Sequence, residues 1–445
     1  MSDATIPATR TAPAARRGVG GGLHLALLLG FLAYVFIGTQ PFGDPSAAQR
    51  VDGSSLDRIA VLGMFGLALA VLWVNRTAAL ALLGANLGLA AVVGFCLLSV
   101  VWSDYPALTI RRALLLVFLT VAAAAIAAGT TDLRRLHGVL FGTLTAVVLL
   151  NLVATAVAPG VAITDIGVRG IYSQKNVAGI VSMLAVVVAA TWILGASRAR
   201  SVAVGLAALL PALLFLVLTK SKTSIALTAL AFGIVAVFAL AEWIGARFVL
   251  LVLGAGLLAS ALLLAIFAAF DFDPLLIVAA VTGDATFTGR DELWSFALNA
   301  ALERPWLGHG YGAFWDVGEA NDPLQRLDPG TWLGDVDIGT INQAHNGYLE
   351  LWLHIGLPAT ILGVLVVARR GLTALRYVAA GSAGAAERAA VGMLGLILLL
   401  YLLHNFTEAT LFMRGLAFCN IALLAMLLVS RAQAFSHLRN DRDGG

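Results

Sequence analysis

Four polar residues, Asn342, Gln343, His345 and Asn346, stand together in "INQAHNGYLELWLHIGLP", immediately before an apolar run. A neutral imidazole at such a place can accept a proton from a hydroxyl. Asn346 can cap the helix that follows, with Tyr348 and Glu350 in its first turn. The second chemistry-bearing set is cationic. The chain has three lysines, Lys175, Lys220 and Lys222, and with Arg111, Arg112 and Arg169 they come from "DYPALTIRRALLL", "GVRGIYSQKNVAG" and "LTKSKTS", each at the end of an apolar segment. Arg290 opens the stretch "GRDELWSFALNAALERP". A cation in the first turn of a helix gains nothing from the dipole, so this placement suits an anion shared between Arg290 and free backbone N–H groups. Single cations at helix ends usually snorkel to the interface. A converging set suits concentrated negative charge, such as a phosphate or diphosphate. His404, in "LLHNFTEATLF" with Asn405 and Glu408 after it, reads as mainly structural.

The elements that must position these residues follow from composition. Sixty per cent of the 445 residues are hydrophobic and 12% charged, too little polar surface for a water-soluble domain. Apolar runs of bilayer-spanning length recur along the chain, and the alternation of a membrane β-barrel is missing. The expected fold is an all-α polytopic membrane bundle of about twelve spans, near 22–39, 57–74, 79–101, 110–128, 138–158, 177–195, 201–219, 223–241, 247–270, 346–367, 389–405 and 411–430. Residues 1–21 and 431–445 read as cytoplasmic tails, 22–270 as spans one to nine, 271–344 as one long outer loop, and 345–430 as the last three spans. Arg10, Arg16 and Arg17 place the N-terminus inside, and the first span reads as an anchor. That topology puts sixteen basic and six acidic residues inside, against twelve and nineteen outside, so the basic pI follows from orientation and argues for no nucleic acid. The long loop carries an amphipathic helix with Leu293, Trp294, Ala297, Leu298, Ala301 and Leu302 at helical spacing, ended by Pro305. It should lie on the membrane surface or over the outer mouth of the bundle. "GHGYG" reads as a tight turn and "RRGVGGG" as a flexible lead-in. Cys96 and Cys419 read as apolar packers, with no disulfide or metal framework.

Taken together, "VWSDYPALTIRRALLL", "GIYSQKNVAG", "LTKSKTSIALTAL", "TGRDELWSFALNAALERPWLGHGYGAFW" and "NQAHNGYLELWLHIGLP" resemble, in this order, the O-antigen ligase superfamily over roughly residues 95–430. The exopolysaccharide polymerases are the branch with the nearest look. The resemblance implies a bacterial inner-membrane glycosyltransferase that moves a glycan from undecaprenyl diphosphate to an acceptor hydroxyl on the periplasmic side. The acceptor is lipid A core in ligases, a carrier-linked glycan in polymerases, or a protein side chain in a third branch. By motif, His345, Arg290 and Arg169 carry over as the catalytic residues. Arg169 and Arg290 would hold the diphosphate, with Lys175, Lys220 and Lys222 as weaker carry-overs, and Arg111, Arg112, Asn346 and Tyr348 in support. His345 would orient or deprotonate the acceptor, which attacks with inversion, and no metal or other cofactor is required if the cations take the leaving charge. Other polysaccharide-assembly proteins are expected as partners.

Two other classes stay open from the residues alone. A secondary transporter would share the span count, although the conspicuous charges cluster at one face and no interrupted helices recur in matching halves. A polysaccharide-export scaffold would use the cations as anchors only.

Overall fold

The computed structural model describes residues 19–43, 53–245, 290–327, 330–336, 341–381 and 383–443, and these are overwhelmingly helical. The N-terminal arginines, the ninth expected span and the first nineteen residues of the long loop lie outside the described residues. Backbone in a bilayer must satisfy its polar groups internally, so each apolar run closes as a helix. In chain order these are α1 (Val19–Phe36), α2 (Ser55–Val74), α3 (Arg76–Ala85), α4 (Leu87–Leu98), α5 (Pro106–Gly129), α6 (Leu133–Val157), the single turn α7 (Pro159–Ala162), α8 (Lys175–Leu194), α9 (Ala199–Thr219), α10 (Lys222–Ile244), α11 (Arg290–Glu303), α12 (Gly347–Ala379), α13 (Ala385–His404) and α14 (Ala417–Asp443). The strands described are one short antiparallel pair, β1 (Ile163–Thr164) and β2 (Gly167–Val168).

Among the described residues seven helices are long and apolar enough to cross a membrane, and the bent pair α3–α4 makes an eighth; α1, α10 and α14 contribute shorter apolar stretches. The protein is an all-α polytopic membrane protein. α8 lies at its centre, buried continuously from Ala178 to Ala189, and α14 is buried from Phe418 to Ser430. α2 instead exposes Leu56, Ile59, Leu62 and Leu69, as a lipid-facing helix does.

Three sequence expectations change. The third span is broken, with its halves at 83°. Asn86 sits at the break, where its side-chain amide donates to the Leu82 carbonyl (2.7 Å) and accepts from Ser430 Oγ (2.9 Å), satisfying a polar group in the apolar interior. The last helix begins at Ala417 and not near 411, because Phe412 (φ 54°) and Gly415 (φ 73°) leave helical conformation, so Arg414 belongs to a loop. The fifth span begins at Leu133 and not near 138, so His137 lies buried within α6 against the Val188 carbonyl (3.1 Å).

α11 packs over α12 through Leu293, Ala297, Ala300 and Ala301, which join Phe314, Trp315 and Leu353 in a second core. Leu298 and Leu302 remain exposed, so the buried stripe is narrower than the sequence pattern. α12 breaks at Gly356, where φ is 78° and a Cβ would stand 2.1 Å from the Trp306 carbonyl oxygen. The loop after α11 fills the break: His309 N–H donates to Leu353 O (2.8 Å), Gly310 N–H to His354 O (3.0 Å), and Leu357 N–H to Pro305 O (2.8 Å).

Candidate functional site

His345 stands between two fixed neighbours. Asn346 caps α12, its Oδ1 accepting from the N–H groups of Tyr348 and Leu349 (3.1 Å each). On the other side the Ala344 N–H donates to Glu350 Oε2 (2.7 Å), which also accepts from Trp315 Nε1 (3.1 Å). The other oxygen of Glu350 lies 3.3 Å from His354 Nε2. Between these ties His345 adopts φ 49°, a left-handed conformation uncommon outside glycine, and its side chain is 33% exposed. An uncommon backbone held from both sides is the kind of feature that clusters at functional positions.

The imidazole is oriented by a residue that sequence reasoning passed over. His345 Nδ1 lies 3.1 Å from Glu408 Oε2, in the loop after α13. Glu408 Oε1 accepts from Asn176 Nδ2 at 2.9 Å and faces Arg290 Nη2 at 3.6 Å, while Arg290 Nη1 donates to the Thr407 carbonyl (2.9 Å). Burial alone would push the Glu408 carboxyl up, but the hydrogen bond and charge of His345, with His404 and Arg290, outweigh it and hold the group below its ordinary value. An ionised carboxylate only accepts hydrogen bonds, so the proton between the pair sits on Nδ1, and in the neutral imidazole Nε2 is the nitrogen that accepts. The sequence clue was the four-residue step from His404 to Glu408, but nothing local ties that step to a histidine sixty-three positions away.

The lysine-bearing segments reach the same end of the bundle. Thr223 Oγ1, one residue after Lys222, is 3.2 Å from Thr407 Oγ1, and Asn176, which binds Glu408, follows Lys175. Lys175 donates to Ile166 O (3.0 Å) and lies close enough to Lys220 and Lys222 to feel their charges. Arg169 donates through Nε to Val161 O (2.8 Å) and through Nη1 to Ser173 O (3.2 Å). Lys220 and Lys222 are exposed, and Lys220 ends α9 in a left-handed turn.

The remaining expected residues have other duties. Arg112 is buried and donates to the loop carbonyls of Gly312, Trp315 (2.9 Å) and Asp316 (2.8 Å), clamping the loop after α11 to α5; Arg111 beside it is exposed. Tyr348 donates to Leu402 O (2.6 Å) and packs on Phe406 with ring centroids 5.0 Å apart. His404 is buried, its Nδ1 3.4 Å from Thr410 Oγ1. A cavity of about 570 Å³ opens beside Glu408, its walls including Asn176, Asn342, Gln343 and Arg414.

Fold and site together define a polytopic membrane protein whose polar chemistry gathers at one end of an apolar bundle, beneath a long loop that carries a helix. The comparisons with known proteins point in one direction. The model of the O-antigen ligase family matches residues 183–364, and the exopolysaccharide production protein ExoQ of Rhizobium meliloti is 28% identical over 314 residues, 70% of each chain. The chain is thus a membrane protein similar to the O-antigen ligase family over residues 183–364.

Proposed function

We propose that the protein transfers a glycan from a polyprenyl diphosphate, of the undecaprenyl type, to an acceptor hydroxyl on the periplasmic side of the bacterial inner membrane, in surface-polysaccharide assembly. The observation that carries this reading is the Arg290–Glu408–His345 arrangement, with the lysines close by. A catalytic base held by an ionised carboxylate and flanked by cations suits a reaction in which a hydroxyl proton is taken and a diphosphate departs. His345 Nε2 accepts the acceptor's proton as its oxygen bonds to the anomeric carbon. The bond from that carbon to the diphosphate oxygen breaks on the opposite face, so the configuration inverts. Arg290 and Arg169, with Lys175, Lys220 and Lys222, receive the charge left on the diphosphate, the task a divalent cation performs in other transferases. Glu408 keeps the imidazole in its working tautomer and stabilises the imidazolium that forms, the part an aspartate plays in a Ser-His-Asp triad.

Likeness to an exopolysaccharide production protein favours polymerisation, with another carrier-linked glycan as acceptor, over transfer to lipid A core. The test is a purified preparation supplied with an undecaprenyl-diphosphate-linked oligosaccharide, following release of the carrier diphosphate and the length of the glycan. Native protein should lengthen the glycan, with or without a chelator, and His345→Ala and Arg290→Ala should not. Product on added lipid A core alone would make it a ligase. Donor binding with no glycan movement for any acceptor would sink the catalytic reading and favour a transporter or scaffold.

A further inference from the structure

The cavity beside Glu408 holds a cation that the transfer chemistry does not use. Arg414 is half-buried on its wall, yet among the described residues its guanidinium makes no hydrogen bond and has no carboxylate within 4.0 Å. Arg112 on the same wall differs in this, because its donors are committed to the carbonyls of Gly312, Trp315 and Asp316. A guanidinium carries five donors in a fixed fork, and leaving them without partners inside a protein is unfavourable unless a ligand completes them.

The backbone that presents Arg414 is firmly held. Its N–H donates to the hydroxyl of Tyr311 (3.1 Å), and that hydroxyl donates to Phe412 O (2.6 Å). The Phe412 N–H donates to the hydroxyl of Tyr401 (2.8 Å), which donates to Thr410 O (2.8 Å). Both tyrosines are fully buried. A loop pinned by two buried hydroxyls presents into the cavity an arginine head that feels the charges of Asp316 and Glu350 but spends none of its donors on them, and it is preorganised for an anion.

The rest of the wall narrows the kind of anion. Gln40, Gln174, Asn342 and Gln343 bring amides to the wall, Tyr172 and Trp315 bring aromatic rings, and Asp57, Asp316, Glu350 and Glu408 bring carboxylates that can accept from sugar hydroxyls. Amides pair with hydroxyls as donor and acceptor at once, and aromatic faces suit the apolar faces of sugar rings. Arg169, Lys175, Lys220, Lys222 and Arg290 do not line this cavity, so a departing diphosphate has its own cations elsewhere and Arg414 is not needed for it.

We infer that the cavity receives the end of a glycan bearing a carboxylate or similar acidic group, and that Arg414 recognises that charge. The inference rests on the glycan-transfer reading for its ligand class and adds a preference for acidic chains. Arg414 is a specificity residue here, and Glu408, shared between the cavity and His345, sets the recognised sugar next to the base.

The test measures binding without any lipid carrier, so that it stands apart from catalysis. Full-length protein in detergent is titrated with two oligosaccharides of equal length, one ending in glucuronic acid and one in glucose, and with inorganic diphosphate. Native protein should bind the acidic chain on the order of 10- to 100-fold more tightly, the range of a charge-assisted hydrogen-bond pair. Arg414→Gln should lose that preference and keep the weaker binding of the neutral chain, and Arg414→Lys should retain part of it. Equal affinity for the two chains, or binding of neither, in the native protein overturns the inference whatever the variants do. So does an equal loss for both chains in a folded Arg414→Gln, or diphosphate displacing the acidic chain more strongly than the acidic chain binds. Acidic-chain binding that persists while no glycan is ever transferred would instead count against the transferase reading alone.

Discussion

Replacing Glu408 by glutamine isolates the contact on which the proposed mechanism turns. Glutamine keeps the size of the side chain and an oxygen for Asn176, but it removes the charge that His345 Nδ1 meets at 3.1 Å and Arg290 at 3.6 Å. The carboxylate is only 9% exposed, so water does little to screen it. A hydrogen bond to a charged group is worth about 1.5–3 kcal/mol. If that is lost mainly as the imidazolium forms, glycan transfer should slow by about 10- to 150-fold, with little change in the donor's KM. Because Glu408 acts through His345, the double variant Glu408→Gln/His345→Ala should be no slower than His345→Ala alone. The assay is turnover of a lipid-linked oligosaccharide in nanodiscs for the four members of the cycle. Losses that multiply in the double variant would show that Glu408 works independently of the histidine and would refute the reasoning.

Other outcomes follow from the same geometry. Glu408 has a carboxyl held below its ordinary value, so its stabilising contribution is complete above pH about 4.5 and fades as pH falls through the folded value; Tm should drop on acidification, and less steeply in Glu408→Gln. Arg112→Lys cannot span the carbonyls of Gly312, Trp315 and Asp316, and should destabilise the folded protein by about 2–4 kcal/mol, read as a lower Tm and faster proteolysis of the loop after α11. Joint substitution of Lys175, Lys220 and Lys222 by glutamine should raise the donor's KM by about tenfold and change kcat by less than about threefold, since the charges are largely exposed. Equal effects on kcat and kcat/KM would instead place the lysines in the transition state.

Hydropathy located the described helices well because the bilayer imposes length and composition directly on each segment. It failed where burial was achieved without a helix: "LFMRG" is apolar enough to extend the last span, yet its backbone turns and is tied to tyrosine hydroxyls. The Asn346 cap was legible because capping is local. The Glu408–His345 pair was not, since it joins segments remote in sequence, and no periodicity records such a contact. Arg112 shows the opposite error. A cation at a helix end looked outward-facing and ready for an anion, and only the folded loop shows that its donors are already occupied by carbonyls.

The broken helix α12 also bears on how such proteins can be recombined. At Gly356 the loop after α11 and the span share one backbone hydrogen-bond network, through the carbonyls of Leu353 and His354 and the N–H of Leu357. A chimera joined between loop and span would orphan those three groups near the membrane, at about 1–3 kcal/mol each. The exchangeable module therefore runs through Pro305 to Leu357 at least, and loop and helix must be inherited as a unit.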